Sequence, residues 1–142
     1  MNERVKIAVD SFRNGYNCAQ SVLVAFSDLT GFKSEDLLNM GSALGGGFCR
    51  TRNLCGAVNA VGILYGLITK TDDKAKAYGE MQTMIAKFLM KYGSLNCGDL
   101  LKGVSVTKGC VPQERTEQYY AERPCERIIE DCVKILQEYL KC

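Results

Sequence analysis

The residues best able to do chemistry in this chain are its eight cysteines, at positions 18, 49, 55, 97, 110, 125, 132 and 142. There is no histidine, which removes Ser-His and Cys-His catalysis, Cys₂His₂ zinc and histidine-ligated haem. No two cysteines stand at C-x-x-C spacing, so a thioredoxin motif, a zinc knuckle and c-type haem attachment are also unsupported. A chain of 142 residues buries a real core without disulfide staples. What remains is sulfur used as thiolate, in a redox or metal centre.

Four of these cysteines fall at the heads of predicted helices. Cys18 follows the capping residue Asn17, Cys97 follows Asn96, Cys55 follows Asn53-Leu54, and Cys125 follows Pro124, a residue tolerated in a first helical turn. A thiol there feels the positive end of the helix dipole, which favours thiolate, and Arg50 and Arg52 beside Cys49 and Cys55 act in the same direction. If the four helix starts converge, Cys18, Cys55, Cys97 and Cys125 form one patch of acidified thiols. Such a patch holds an iron–sulfur cluster or a zinc ion, or makes a redox-active disulfide with no cofactor. Cys49 is the substitute ligand, because the run Gly45-Gly46-Gly47 can bring it near Cys55. Three glycines can also form an anion-binding nest. No Gly-Lys-Ser or G-x-G-x-x-G follows, so the run reads better as a turn passing close to a cofactor or another helix. Cys110 lies in a loop, Cys132 in mid-helix and Cys142 at the terminus, and each alone reads as structural.

Stepping outward, helical spacing of apolar residues predicts helices over 3–13, 18–29, 34–43, 55–69, 72–92, 97–101 and 124–140. Their inner faces are Val5, Ala8, Val9 and Phe12; then Cys18, Val22, Ala25, Phe26 and Leu29. The long helix buries Ala75, Tyr78, Met81, Ile85, Phe88, Leu89 and Tyr92. In the last, Cys125, Ile128, Ile129, Cys132, Leu136 and Tyr139 share one stripe. Gly56, Ala60, Gly62 and Gly66 mark the helix over 55–69 as central and tightly packed. Residues 103–113 read as loop, and 114–122 receive no assignment. The result is an all-α, compact bundle of about five to seven helices in a single domain over 1–142.

Composition narrows the function further. Hydrophobic content of 46% and charged content of 24% are ordinary for a globular chain. A net charge of +2 makes no electrostatic case for nucleic acid or an anionic membrane. With no signal core at Met1-Asn2-Glu3-Arg4 and no apolar run of membrane-spanning length, the expected location is the cytoplasm. The expected partner is a redox protein, and a homodimer is the default assembly.

The chain resembles the C_GCAxxG_C_C family of redox-active proteins. The matching pieces are Gly15-Tyr16-Asn17-Cys18-Ala19-Gln20-Ser21, Gly45-Gly46-Gly47, Cys55-Gly56-Ala57, Gly93-Ser94-Leu95-Asn96-Cys97 and Cys125. Ala60 stands where the family pattern has glycine. The resemblance implies that Cys18, Cys55, Cys97 and Cys125 are the shared cysteines. The chain is also similar to the non-haem part of split-Soret cytochromes, which implies an iron–sulfur centre. The leading expectation is therefore a cytoplasmic redox protein working by cluster electron transfer or thiol/disulfide exchange. The alternative is a zinc-stabilised helical binding module without redox activity, although zinc sites usually draw ligands in close pairs. An enzyme with Cys55 as nucleophile ranks last, for want of a base.

Overall fold

The computed structural model describes residues 2–142. Among them there are nine helices and no strand: α1 (Glu3–Arg13), α2 (Cys18–Val24), α3 (Ser27–Thr30), α4 (Ser34–Met40), α5 (Gly56–Thr69), α6 (Lys74–Tyr92), α7 (Cys97–Leu100), α8 (Glu117–Glu122) and α9 (Cys125–Leu140). The all-α class holds, but the count exceeds the expected five to seven. The helix expected over 18–29 breaks into α2 and α3, and the unassigned stretch 114–122 contains α8.

The break has a local cause. The N–H groups of Ala25 and Phe26 bond to the carbonyls of Val22 and Leu23, three residues back instead of four. This tighter turn ends α2 and buries both Ala25 and Phe26 completely. It also swings Leu29, expected on the inner face, out to solvent.

The core is built from α1, α2, α5 and α9. Asn2 caps α1 by accepting from the Val5 N–H, and Val5, Ala8 and Phe12 are buried. α9 turns Ile128, Ile129, Cys132, Val133 and Leu136 inward. Each fully buried aliphatic side chain of this kind contributes roughly 1.5–3 kcal/mol. α5 is apolar over most of its surface and lies between α2, α9 and α6. Its tight packing is confined to one end. A Cβ at Gly56 would meet Cys18 and Leu44 below 3 Å, whereas one at Gly66 would meet nothing within 4 Å.

α6 lies on the outside and buries only Met84 and Phe88. Tyr78 and Leu89, both expected inside, are exposed, because the helix touches α5 and α9 along one narrow side. No helix among the described residues is long and apolar enough to cross a membrane.

Candidate functional site

Local hydrogen bonding brings the starts of four helices together. Asn17 caps α2 with a reciprocal pair, accepting from the Gln20 N–H while its own N–H donates to the Gln20 side chain. That capping box fixes Cys18 as the first residue of α2. The Asn17 carboxamide also donates to the carbonyls of Gly41 (3.0 Å) and Ser42 (3.3 Å), tying α2 to the end of α4. Cys55 and Cys97 sit at diagonal corners of a short antiparallel bridge between Leu54 and Asn96. The Cys55 N–H donates to Leu95 O at 2.8 Å, and the Cys97 N–H to Asn53 O at 2.6 Å. Asn96 then caps α7, and Cys125 opens α9 directly after Pro124.

The glycines explain how these starts approach so closely. A Cβ at Gly56 would sit 2.6 Å from the Cys18 sulfur, one at Gly47 2.5 Å from Cys97 Cβ, and one at Gly45 2.5 Å from Asn17 Cβ. The triple glycine thus packs on the heads of α2 and α7. From Gly46 to Arg50 five consecutive residues have positive φ, as does Arg52. Phe48, Cys49, Arg50 and Arg52 each incur roughly 1–2 kcal/mol in that conformation. Backbone bonds from Cys49 to Ala43 (2.7 Å), Arg52 to Gly46 (3.0 Å) and Asn53 to Gly47 (2.8 Å) hold the left-handed turn. Strain of this kind concentrates at functional sites. Nothing in the sequence beyond the glycines announces it.

Cys55 and Cys97 are buried, and Cys18 and Cys125 are half-buried. Charge links Cys18 and Cys125 to each other and to both Cys55 and Cys97: a thiolate at Cys97 opposes ionisation of Cys18 and Cys125, and one at Cys18 opposes that of Cys55 and Cys125. Cys132, one of the core residues of α9, also feels Cys55 and Cys18.

The expectation of acidified thiols does not hold for these residues. Burial is the largest effect and pushes Cys18, Cys55 and Cys132 up, and Cys125 up to about 12. Opposing forces are present but smaller, and the arginines among them are not the expected Arg50 and Arg52. Amides of Gly46, Ala19 and Ala57 pull Cys18 down, those of Val58 and Ala57 pull Cys55 down, and Arg123 and Arg115 do the same for Cys125. Removing a thiolate from water costs more than one helix end returns.

All eight cysteines are free thiols. Among the described residues no three Cys, Asp or Glu side chains form a group that could hold a metal ion. Tetrahedral zinc, with Zn–S bonds of about 2.3 Å, needs sulfurs about 3.8 Å apart. The packing as it stands does not fit a single ion of that kind.

Above Cys18 lies a cavity of about 310 Å³, lined by Arg50, Arg52, Arg115 and Arg123 together with Cys49 and Cys110. Arg50 bridges the two loops at its mouth, donating to the carbonyls of Thr107, Gly109 and Val111 on either side of Cys110. Sequence reasoning missed Arg115, Arg123 and the part played by Cys110. All three lie in the stretch between α7 and α9 where no helical period organises the residues. The available signal was the arginines flanking Tyr119-Tyr120, since cations stack on aromatic rings.

No curated protein and no solved structure matches the chain. One family does match, over residues 16–139, nearly the whole chain and all four converging cysteines. The chain belongs to the family described as "Putative redox-active protein (C_GCAxxG_C_C)".

Proposed function

We propose that Cys18, Cys55, Cys97 and Cys125 are the working centre of a thiol/disulfide redox protein. The observation that carries this reading is the convergence of four helix-start thiols on one buried place, beneath a cavity that reaches Cys18 alone of the four. Cys18 is the attacking group. Its thiolate attacks one sulfur of a partner's disulfide, the partner S–S bond breaks, and the other partner sulfur leaves as thiolate. A second cluster thiol gives up its proton and attacks Cys18 Sγ in the mixed disulfide, releasing the partner's remaining sulfur. Two protein thiols become one disulfide, the partner disulfide becomes two thiols, and two electrons and two protons pass to the partner. The partner is a disulfide-bearing protein or small molecule, and the compartment is a reducing one such as the cytoplasm.

The test is equilibration of the full chain with glutathione buffers of graded potential, followed by thiol counting and mass-spectrometric mapping of the disulfide. Loss of two thiols within the four, abolished by Cys18→Ser, is the expected result. Oxidation confined to Cys49 and Cys110 would overturn the reading.

A second reading is favoured by one specific observation. Four thiols converge where a disulfide needs two, and the four arginines nearby have no carboxylate among the cavity's lining residues. An iron–sulfur cluster ligated by Cys18, Cys55, Cys97 and Cys125 would supply one-electron transfer, and the arginines would offset its negative charge. Iron, acid-labile sulfide and a broad visible band in anaerobically purified protein would replace the first reading with this one. Zinc alone would point to the binding module.

A further inference from the structure

We infer that the cavity over Cys18 binds a small polyanion, a molecule with two or more carboxylate or phosphate groups, and holds it against the cysteine cluster. Four guanidinium groups line this cavity and no aspartate or glutamate does. The ion pairs among the described residues all lie elsewhere, and none involves Arg50, Arg52, Arg115 or Arg123.

The four arginines are nevertheless held in place, by neutral acceptors. Arg50 donates to three backbone carbonyls and to Thr107 Oγ1. Arg115 donates to Phe12 O at 2.7 Å and Tyr16 O at 2.9 Å. Arg123 donates to Gln113 Oε1 at 2.5 Å, and Arg52 reaches Cys97 Sγ at 3.7 Å. Arg115 and Arg123 both stack on Tyr119, their Cζ atoms 5.0 and 4.3 Å from the ring centroid. These contacts orient the cations without neutralising them.

Arg123 carries the argument furthest. It is only 9% exposed, and its buried Nε has no hydrogen-bond partner. A buried guanidinium lacking both a counter-charge and a full set of acceptors is costly. A scaffold needing only a loop pin would use one such group with its donors satisfied. Four fixed cations around one opening, one of them with a spare buried donor, are preorganised for an anionic ligand, since planar guanidinium forks match carboxylate and phosphate geometry. The volume is at the lower end of the roughly 300–1,000 Å³ found for ligand pockets, so the ligand is small. That the anion is presented to a redox centre rests on the function proposed above; the binding itself does not.

The probes are inorganic pyrophosphate and succinate, titrated into the reduced full chain at low ionic strength and followed by calorimetry, with sodium chloride as the ionic-strength control. Saturable one-to-one binding is expected for at least one probe. Arg123→Gln weakens it about tenfold or more, the scale of one charge-assisted hydrogen bond. Arg52→Gln, at a less buried position, carries the same test if Arg123→Gln does not fold. Binding of pyrophosphate alone identifies a phosphate ligand, and binding of succinate alone a carboxylate one. In a Cys49→Ser/Cys110→Ser background, the bound probe also slows alkylation of Cys18 by neutral iodoacetamide and leaves Cys142 unchanged. Weak, unsaturable binding of both probes, or binding indifferent to both arginine substitutions, overturns the proposal. Saturable binding to a chain whose four cluster cysteines resist oxidation would sink the thiol/disulfide function and leave the anion site standing.

Discussion

Raising the pH above neutrality should destabilise the reduced protein steeply, through its buried thiols. Cys55, Cys125 and Cys132 are held protonated well above the ordinary cysteine range, first by burial and then by neighbouring thiols. Each is an acid whose pKa is higher folded than unfolded. The folded state therefore keeps a proton that the unfolded chain, with a pKa of about 8.5, gives up. Stability is complete below that value and falls as the pH rises toward the folded pKa. At a pH about one unit above 8.5, each such thiol has cost about 1.4 kcal/mol, and the three together about 4 kcal/mol. Cys18, also raised by burial, adds in the same direction. Domains of this size have about 5–15 kcal/mol in all, so the loss is a large share of the total. With a urea slope of about 2 kcal/mol/M, the unfolding midpoint falls by about 2 M. The assay is urea unfolding under a phosphine reductant from about pH 7 to pH 9.5, which stays below the ordinary tyrosine and lysine pKa values of about 10 and 10.4, so their contribution is small beside that of the thiols. Cys132→Ala shifts stability by a constant packing loss but also reduces the pH slope by about a quarter to a third, as one of these thiols. A midpoint moving less than about 0.5 M, against the roughly 2 M expected, would refute the reasoning. It would mean that these thiols ionise in the folded protein near their ordinary value.

The loop geometry makes two further predictions. Gly47→Ala places a Cβ 2.5 Å from Cys97 Cβ and 2.7 Å from Asn53 N, at a φ of +69°, and should cost about 2–4 kcal/mol, combining backbone strain with overpacking. Gly66→Ala, in an exposed helical position with open space around it, should instead stabilise by about 0.5–1 kcal/mol; chemical denaturation of both variants checks the contrast. Asn17→Ala removes a capping box and two hydrogen bonds to the end of α4. It should lose about 2 kcal/mol and speed the alkylation of Cys18, as followed by mass spectrometry.

The parts of this fold that were legible in the sequence are those governed by local rules. Asn17, Asn96 and Pro124 mark the starts of α2, α7 and α9 because capping and proline geometry act within one turn. The stripe from Ile128 to Leu136 is buried as its spacing predicts. The α2–α3 break was not legible, because its driving force is the burial of Phe26 against distant residues. Tyr78 and Leu89 misled for a related reason. Periodicity shows that a helix has an apolar side but not how wide a neighbour covers it, and α6 has only a narrow one.

The thiol chemistry was misjudged in sign, and the reason bears on how such a centre works. Amides at a helix start are sequence-local and do favour the thiolate at Cys18 and Cys55, whereas the arginines that favour it at Cys125 are Arg115 and Arg123, not the sequence-adjacent Arg50 and Arg52. Desolvation depends on how completely four helices close over the sulfurs, which no spacing encodes. Since burial wins at Cys18, Cys55 and Cys125, the resting centre holds protonated thiols and resists adventitious attack. The arginine-lined cavity offers a way to change that balance at one sulfur. Arg115 and Arg123 already favour ionisation at Cys125, and the cavity opens onto Cys18. A ligand that occupies it would draw on the same cations, so its charge and the thiolate's compete for them. An anionic reactant would therefore bind most tightly while Cys125 is protonated, and its departure would return the full field of Arg115 and Arg123 to that sulfur.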